Sequence, residues 1–532
     1  MCGIWQKANA AMAGAICVLL SCHGALAHTT APDDSPHNGA DIATNTAAAE
    51  AEVRAVLLKP SPHEHVTQDE EKAFGSMPLP IPGDAFSRGA VEEPAPTARQ
   101  KGLLPNSWHD FINQDGFFGD PWGARTWLSD HGVSVSGRYF SDSAGNPFGG
   151  KSRAARYADE EALSIDFDLK KLAGLEFNAG VLHFLTLARQ GAGLGNTLPV
   201  INSPMEIYGA GETMRLGRLS WEMHWNHYVQ TEIGEINTEN DFEQSSTYWG
   251  ANLYCQFQNN GICGMPQSIA MNSGYGFYPT AHPGAWVKFF PAGNDHYLVQ
   301  FGVYSVDPTI SGVRNGWKMN LHGATGTFLP FQLGWHQGGE DDYSGPLQTN
   351  VKVGGYWDTS EVKNVYGQMG TYGIPPSAAE GAPLTKVRGR FGGWFQFDRM
   401  LQRDEADPHR GTAFFGSFTW GDPRTAIAPY YMTAGITRKG TFASRPDDTI
   451  SLGMKVLWAN PKVTHWIQHL QRSGRGAGLY APHSEEAIEL NYGYRPARWL
   501  LLRPGLQYLW NPGAIKRYKD AMLIDLETAI AF

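Results

Sequence analysis

Long hydrophobic runs are missing from this chain of 532 residues. No stretch reaches the roughly 18 consecutive apolar residues that a membrane-crossing helix needs, so helical spanning is excluded. Cysteine is scarce. Three of the five (Cys2, Cys17 and Cys22) fall in the first 22 residues, which excludes a disulfide-dense scaffold. Positive charge is also short: the formal net charge is −10, and no basic footprint for nucleic acid is present. Two catalytic signatures are absent as well: there is no Gly-x-Ser-x-Gly elbow and no His-Glu-x-x-His helix. The acids in "GGEDDYSG" (Gly338–Gly345) lack the alternating calcium-loop pattern, and His224 and His227, three apart, fall on opposite faces of a strand. Neither cofactor nor metal is expected.

What is abundant is glycine (62 residues) and aromatics (12%), in a chain whose charged residues are only 18% and whose mean hydropathy is −0.34. That balance suits many strands joined by turns. Period-2 stretches bear this out: Leu163, Ile165 and Phe167 interleave with Ser164, Asp166 and Asp168, and Leu219, Trp221 and Met223 with Arg218, Ser220 and Glu222. In the last stretch, Met522, Ile524, Leu526, Thr528, Ile530 and Phe532 share one parity, and Asp525, Glu527, Ala529 and Ala531 the other. A strand apolar up to Phe532 needs pairing along its whole length, which barrel closure supplies. A soluble sandwich would show similar alternation. The membrane barrel is preferred because aromatics such as Trp225, Tyr228, Trp249 and Trp510 sit near strand ends, where an interfacial girdle needs them, and because the chain starts with an export-like segment.

Three regions are expected. Residues 1–27 read as a signal peptide, with the apolar core "AAMAGAICVLL" and a small-x-small cleavage site at Ala25-Leu26-Ala27; a lipoprotein site at Cys22 is the alternative. Residues 28–105, rich in Pro and Ala, read as a periplasmic extension or linker. Residues 106–532 carry the barrel. Cys255 and Cys263 bracket "QFQNNGI", and in an oxidising compartment such a pair closes a disulfide loop, with two free thiols as the alternative.

Five ordered blocks also resemble the carbohydrate-selective porins of Gram-negative outer membranes (OprB type): "GDPWGARTWLSDHGVSVSGRY", "EIGEINTENDF", "GFYPTAHPGAWVKFFP", "GITRKGTFASRPDDTISLGM" and "EEAIELNYGYRPARWLLLRPGLQYLWNPG". The resemblance runs from about Phe118 to Phe532. It implies a single-chain, all-β transmembrane antiparallel barrel of sixteen strands that conducts mono- and small oligosaccharides, of the glucose type, by passive diffusion and is not an enzyme. Pro121 and Ala124 depart from the family's opening block.

A sugar offers hydroxyls that donate and accept, plus apolar ring faces, so a selective constriction needs guanidinium and carboxylate groups beside aromatic rings. Candidates on the polar parity are Arg138, Arg215, Arg218, Glu222, Glu232 and Glu235. For each, the alternative is a solvated strand face or a loop ion pair. Expected partners are sugars, outer-membrane lipid and the barrel-assembly machinery, with no nucleic acid; monomer and homotrimer both stay open. Two other function classes remain: a secreted carbohydrate-active enzyme using paired carboxylates such as Asp166 and Glu222, and an assembly or adhesion protein binding a periplasmic partner through residues 28–105.

Overall fold

A computed structural model describes residues 102–207, 211–238, 241–242, 256–263, 265–276, 278–293, 296–338, 346–404 and 410–532, the side chain of residue 196 excepted. The expected signal peptide, nearly all of the extension, Trp249 and Cys255 lie outside the described residues.

The first strands are β1 (Val133–Gly150), β2 (Ala155–Asp168), β3 (Val181–Gly191), β4 (Thr213–His224), β5 (Val229–Ile236), β6 (His282–Phe289), β7 (Tyr297–Val306) and β8 (Gly326–Gln337). They continue as β9 (Thr349–Lys363), β10 (Lys386–Arg403), β11 (Gly411–Gly421), β12 (Tyr430–Lys439), β13 (Thr449–Trp458), β14 (Ser484–Ala497), β15 (Leu500–Trp510) and β16 (Lys519–Ala531). Each pairs with its sequence neighbours, and β16 returns to β1, closing a sixteen-stranded antiparallel barrel. Register at the seam runs from Arg138 opposite Ala531 to Gly145 opposite Ile524. Phe532 completes it: its N–H donates to the Gly137 carbonyl at 2.8 Å. Closure gives every strand a strand neighbour on both sides, as a lipid environment requires.

The alternation places its apolar members outside. Leu163, Leu219, Leu452, Ile524 and Leu526 are exposed, while Ser164, Ser220, Ser451, Asp525 and Glu527 are buried. Such an outward apolar band facing hydrocarbon is the mark of a spanning barrel. Exposed aromatics flank it at both rims, Trp225, Tyr228, Tyr297 and Trp335 at one and Tyr157, Trp357, Tyr430 and Trp510 at the other. The first rim, called here the turn rim, carries the tight β4–β5 and β14–β15 connections; the loop rim carries the long ones.

Two long connections turn inward. Residues 256–263 and 265–276 of the β5–β6 connection, including helix α1 (Gln267–Asn272), are largely buried and bond to strands around the barrel. Gln258 and Asn259 donate backbone N–H groups to Glu489 of β14 at 3.0 and 2.8 Å. The Tyr431 hydroxyl of β12 donates to the Gly261 carbonyl at 2.8 Å, and the Tyr356 hydroxyl of β9 to that of Ser268 at 2.9 Å. A side chain at 261 would collide with the Tyr431 hydroxyl, so glycine is needed where loop meets wall. The β3–β4 connection is pinned similarly: Ile201 N–H donates to Glu485 at 2.8 Å and Ile207 N–H to Asp142 at 3.0 Å.

The β7–β8 connection has a different task. β5 and β6 are short, so above Leu219 the β5-facing side of β4 has no strand partner, while its other side stays paired with β3. Leu216 N–H instead donates to the Gly316 carbonyl of that connection at 2.8 Å.

Candidate constriction site

Inward parity on the first six strands concentrates the ionisable side chains in two clusters. In the first, Glu160 of β2 lies between two guanidiniums. Arg138 of β1 reaches one carboxylate oxygen at 2.6 Å and Arg189 of β3 the other at 2.7 Å. Tyr278, from the β5–β6 connection, donates its hydroxyl to the same carboxylate at 2.6 Å, accepts from Arg138, and has the Arg189 guanidinium 5.3 Å from its ring centroid. One carboxylate against two cations leaves the cluster net positive, with a ring and two planar forks side by side.

The second cluster is built on β3 to β6. Arg218 Nε donates to Glu232 at 2.6 Å and its Nη2 to Glu222 at 3.1 Å. Glu222 and Glu232 face each other across the β4–β5 ladder, so the guanidinium sits over what would otherwise be a repulsive pair. Around them, Gln230 donates to Glu222, Trp286 Nε1 donates to Glu232 at 2.7 Å, and His183 lies 2.6 Å from Asp166 and 3.5 Å from Glu222. Lys288 stands 4.3 Å from the Trp286 ring centroid and pairs with Asp241 of the β5–β6 connection at 2.8 Å. Burial drives the Asp241 carboxyl up to about 6, against the pull of Lys288. One phenol ring, one indole ring, four cationic side chains and their carboxylates thus share one arc of inner wall.

The six candidates separate. Arg138, Arg218, Glu222 and Glu232 join these clusters. Arg215 and Arg218, three apart, would fall on opposite faces of a regular strand, but the register shifts between them at Gly217 and both side chains are largely buried. Arg215 then donates to the carbonyls of Ile310 and Ser311 at 3.0 and 2.7 Å, anchoring the β7–β8 connection rather than joining the ionic arc. Glu235 lies opposite Leu219, on the other parity from Glu232, yet is itself buried. Asp166 and Glu222, the carboxylates of the enzyme alternative, are bridged by His183. Cys263 is disulfide-bonded and packs with Phe257, Ile262, Met265 and Phe415; Cys255 is outside the described residues.

Sequence reading missed Glu160, Arg189, Tyr278, Trp286 and Lys288. For three of these a signal existed: Glu160 shares inward parity with Ser164 and Asp166, and Trp286 and Lys288 alternate in "AWVKF". Tyr278 had none as a wall contact, because it comes from a connection. Among the described residues no group of three or more His, Cys, Asp or Glu side chains could hold a metal ion.

Residues 152–532 match the profile described as carbohydrate-selective porin, OprB family. Porin B of Pseudomonas aeruginosa is 27% identical over 470 residues, which span 85% of this chain and 97% of that protein. The solved high-pH structure of Pseudomonas putida OprB superposes with a TM-score of 0.70 at 25% identity, covering 79% of this chain and 99% of that one. With the closed sixteen-stranded barrel and its banded exterior, these matches place the protein in the outer membrane, and the chain belongs to the OprB family of carbohydrate-selective porins.

Proposed function

We propose that this porin passes mono- and small oligosaccharides by passive diffusion and that sugars touch the arc built around Glu160 and Arg218. The observation that carries the proposal is the grouping of Arg138, Arg189 and Tyr278 on one carboxylate, beside Arg218, Glu222, Glu232 and Trp286 on the next strands. Guanidinium forks bridge neighbouring hydroxyls, carboxylates accept from them, and ring faces stack on the apolar side of a pyranose. Each contact is weak in water, which lets solute leave as readily as it enters. No covalent step is required, so catalysis has no part in this reading. Export through residues 1–27, and any periplasmic partner of residues 28–105, belong to the same proposal and fall on residues outside those described.

The test is liposome swelling with glucose, disaccharides and an uncharged non-sugar of similar size. Sugar-dependent swelling is expected. Protein that stays folded in detergent yet gives no sugar-dependent swelling overturns the proposal. Arg138→Ala and Arg218→Ala should each change the ratio of sugar to non-sugar flux, and unchanged ratios in both remove the arc from the permeation path.

A further inference from the structure

We infer that the segment before the first strand is an interfacial collar, completing the aromatic girdle where the strands leave it open and resting on the lipid leaflet at the turn rim. Strand-borne and turn-borne aromatics at that rim, Trp225, Tyr228, Tyr297 and Trp335, cover the arc from β4 to β8. On β1, β15 and β16 the outward residues at the same level are aliphatic, Val133 and Leu500 opposite Ile530, and the next strand-borne ring is Phe167 of β2, opposite Val133. The preceding segment supplies what is missing there. Trp108, Phe118, Trp122 and Trp127 expose 74, 59, 68 and 59% of their surface.

These rings are held in place. The helix Trp108–Asn113 carries Phe111, whose carbonyl accepts from Trp499 Nε1 at 2.8 Å. Phe117 N–H donates to the Ala531 carbonyl at 2.7 Å. The Phe118 ring stacks on Phe532 at 5.4 Å, and Phe532 has the parity of Ile524 and Leu526, which face outward in the apolar band. The segment is therefore continuous with the lipid-facing surface. Four large exposed rings on a pinned backbone suit a membrane interface, where indoles place an apolar body in the acyl boundary and an N–H in the headgroups.

The experiment uses the full chain in vesicles of phosphatidylethanolamine and phosphatidylglycerol, with a nitroxide at W122C, W127C or S129C. Ser129 is exposed and lies two residues from Trp127 in the helix Ala124–Asp130, hence near its opposite face. Labels at 122 and 127 should relax more with oxygen than with a water-soluble nickel chelate, and the label at 129 the reverse. If 122 and 127 meet the chelate as freely as 129, or are shielded from both agents as a protein cover would make them, the collar is refuted. Should labelled variants lose the heat-modifiable folded form, quenching by brominated lipid decides: W122F/W127F protein should lose part of the quenchable indole emission of the unsubstituted protein, and equal quenching refutes the inference.

Discussion

Two arcs of the same inner wall are built oppositely. From β1 to β6 the inward positions hold Arg138, Glu160, Arg189, Arg218, Glu222 and Glu232; from β7 to β10 they hold Tyr304, Phe328, Tyr356 and Trp394, packed with Ile269, Tyr275 and Phe242 of the β5–β6 connection. Strand geometry is the same in both arcs, so the difference comes from what covers each wall. The aromatic arc is seated against an inserted loop and behaves as a protein core. Trp394 is fully buried, donates Nε1 to Gln332 at 3.2 Å, and lies so close over Gly354 that a Cβ there would stand 2.2 Å from the indole. The ionic arc satisfies its charges internally instead. A barrel interior can thus be half apolar core and half ion-paired wall, with the apolar half seating the inserted loop.

Breaking either half tests the contrast. The largest effect is expected for Glu160→Ala, which leaves Arg138 and Arg189 buried without their shared carboxylate. Loss of a partner from a buried pair costs about 3–5 kcal/mol, so the heat-modifiable folded form should fall sharply on electrophoresis, whereas an intact folded fraction would show the pair to be well hydrated. Trp394→Ala follows, at about 3 kcal/mol for the cavity under the loop, read as a lowered unfolding midpoint in detergent. It should also raise conductance, because the loop loses its seat. Arg218→Ala leaves the buried Glu222 and Glu232 facing each other without their guanidinium, so it should lower the unfolding midpoint as well and shift the channel toward cations; reversal potentials in a salt gradient measure the shift.

Smaller effects concern the turn rim. Burial opposes ionisation of Asp448, yet the Arg445 guanidinium, the Arg495 N–H and the Tyr492 hydroxyl hold its carboxyl below the ordinary value of 3.8. A depressed folded pKa means that this stabilisation is full above the unfolded value and is lost as pH falls through the folded one. Asp448→Asn should therefore lower the unfolding midpoint at neutral pH, and the gap from the unsubstituted protein should close in acid below 3.8. Tyr492→Phe removes one hydrogen bond and should cost about 1 kcal/mol in the same assay.

Legibility in the sequence followed exposure to lipid. Alternation around Leu163, Leu219 and Ile524 was readable because hydrocarbon accepts apolar side chains alone on that face. Inward parity was readable where it is ionic, as for Arg138, Arg218, Glu222 and Glu232, and was lost where it is aromatic. In β8, Phe328 points inward while Leu329, Phe331 and Leu333 are exposed, so neither face looks polar. Arg215 looked like a wall residue, and neither its bulge nor its carbonyl partners leave a local signal. "QFQNNGI" reads as a polar disulfide loop, yet Gln258 and Asn259 sit inside the barrel with Glu489 as acceptor.

The sequence by itself determined that strands alternate between an apolar and a mostly polar face, and that Phe532 ends an apolar parity, because side chains on a strand must point to opposite sides whatever surrounds them. Only the tertiary structure decided which inward positions pack as apolar core and which stay ion-paired, since that depends on where the β5–β6 connection lies once the barrel has closed. The contacts that seat it, such as Tyr278 on Glu160 and Gln258 on Glu489, join residues more than a hundred positions apart, and no local pattern encodes them.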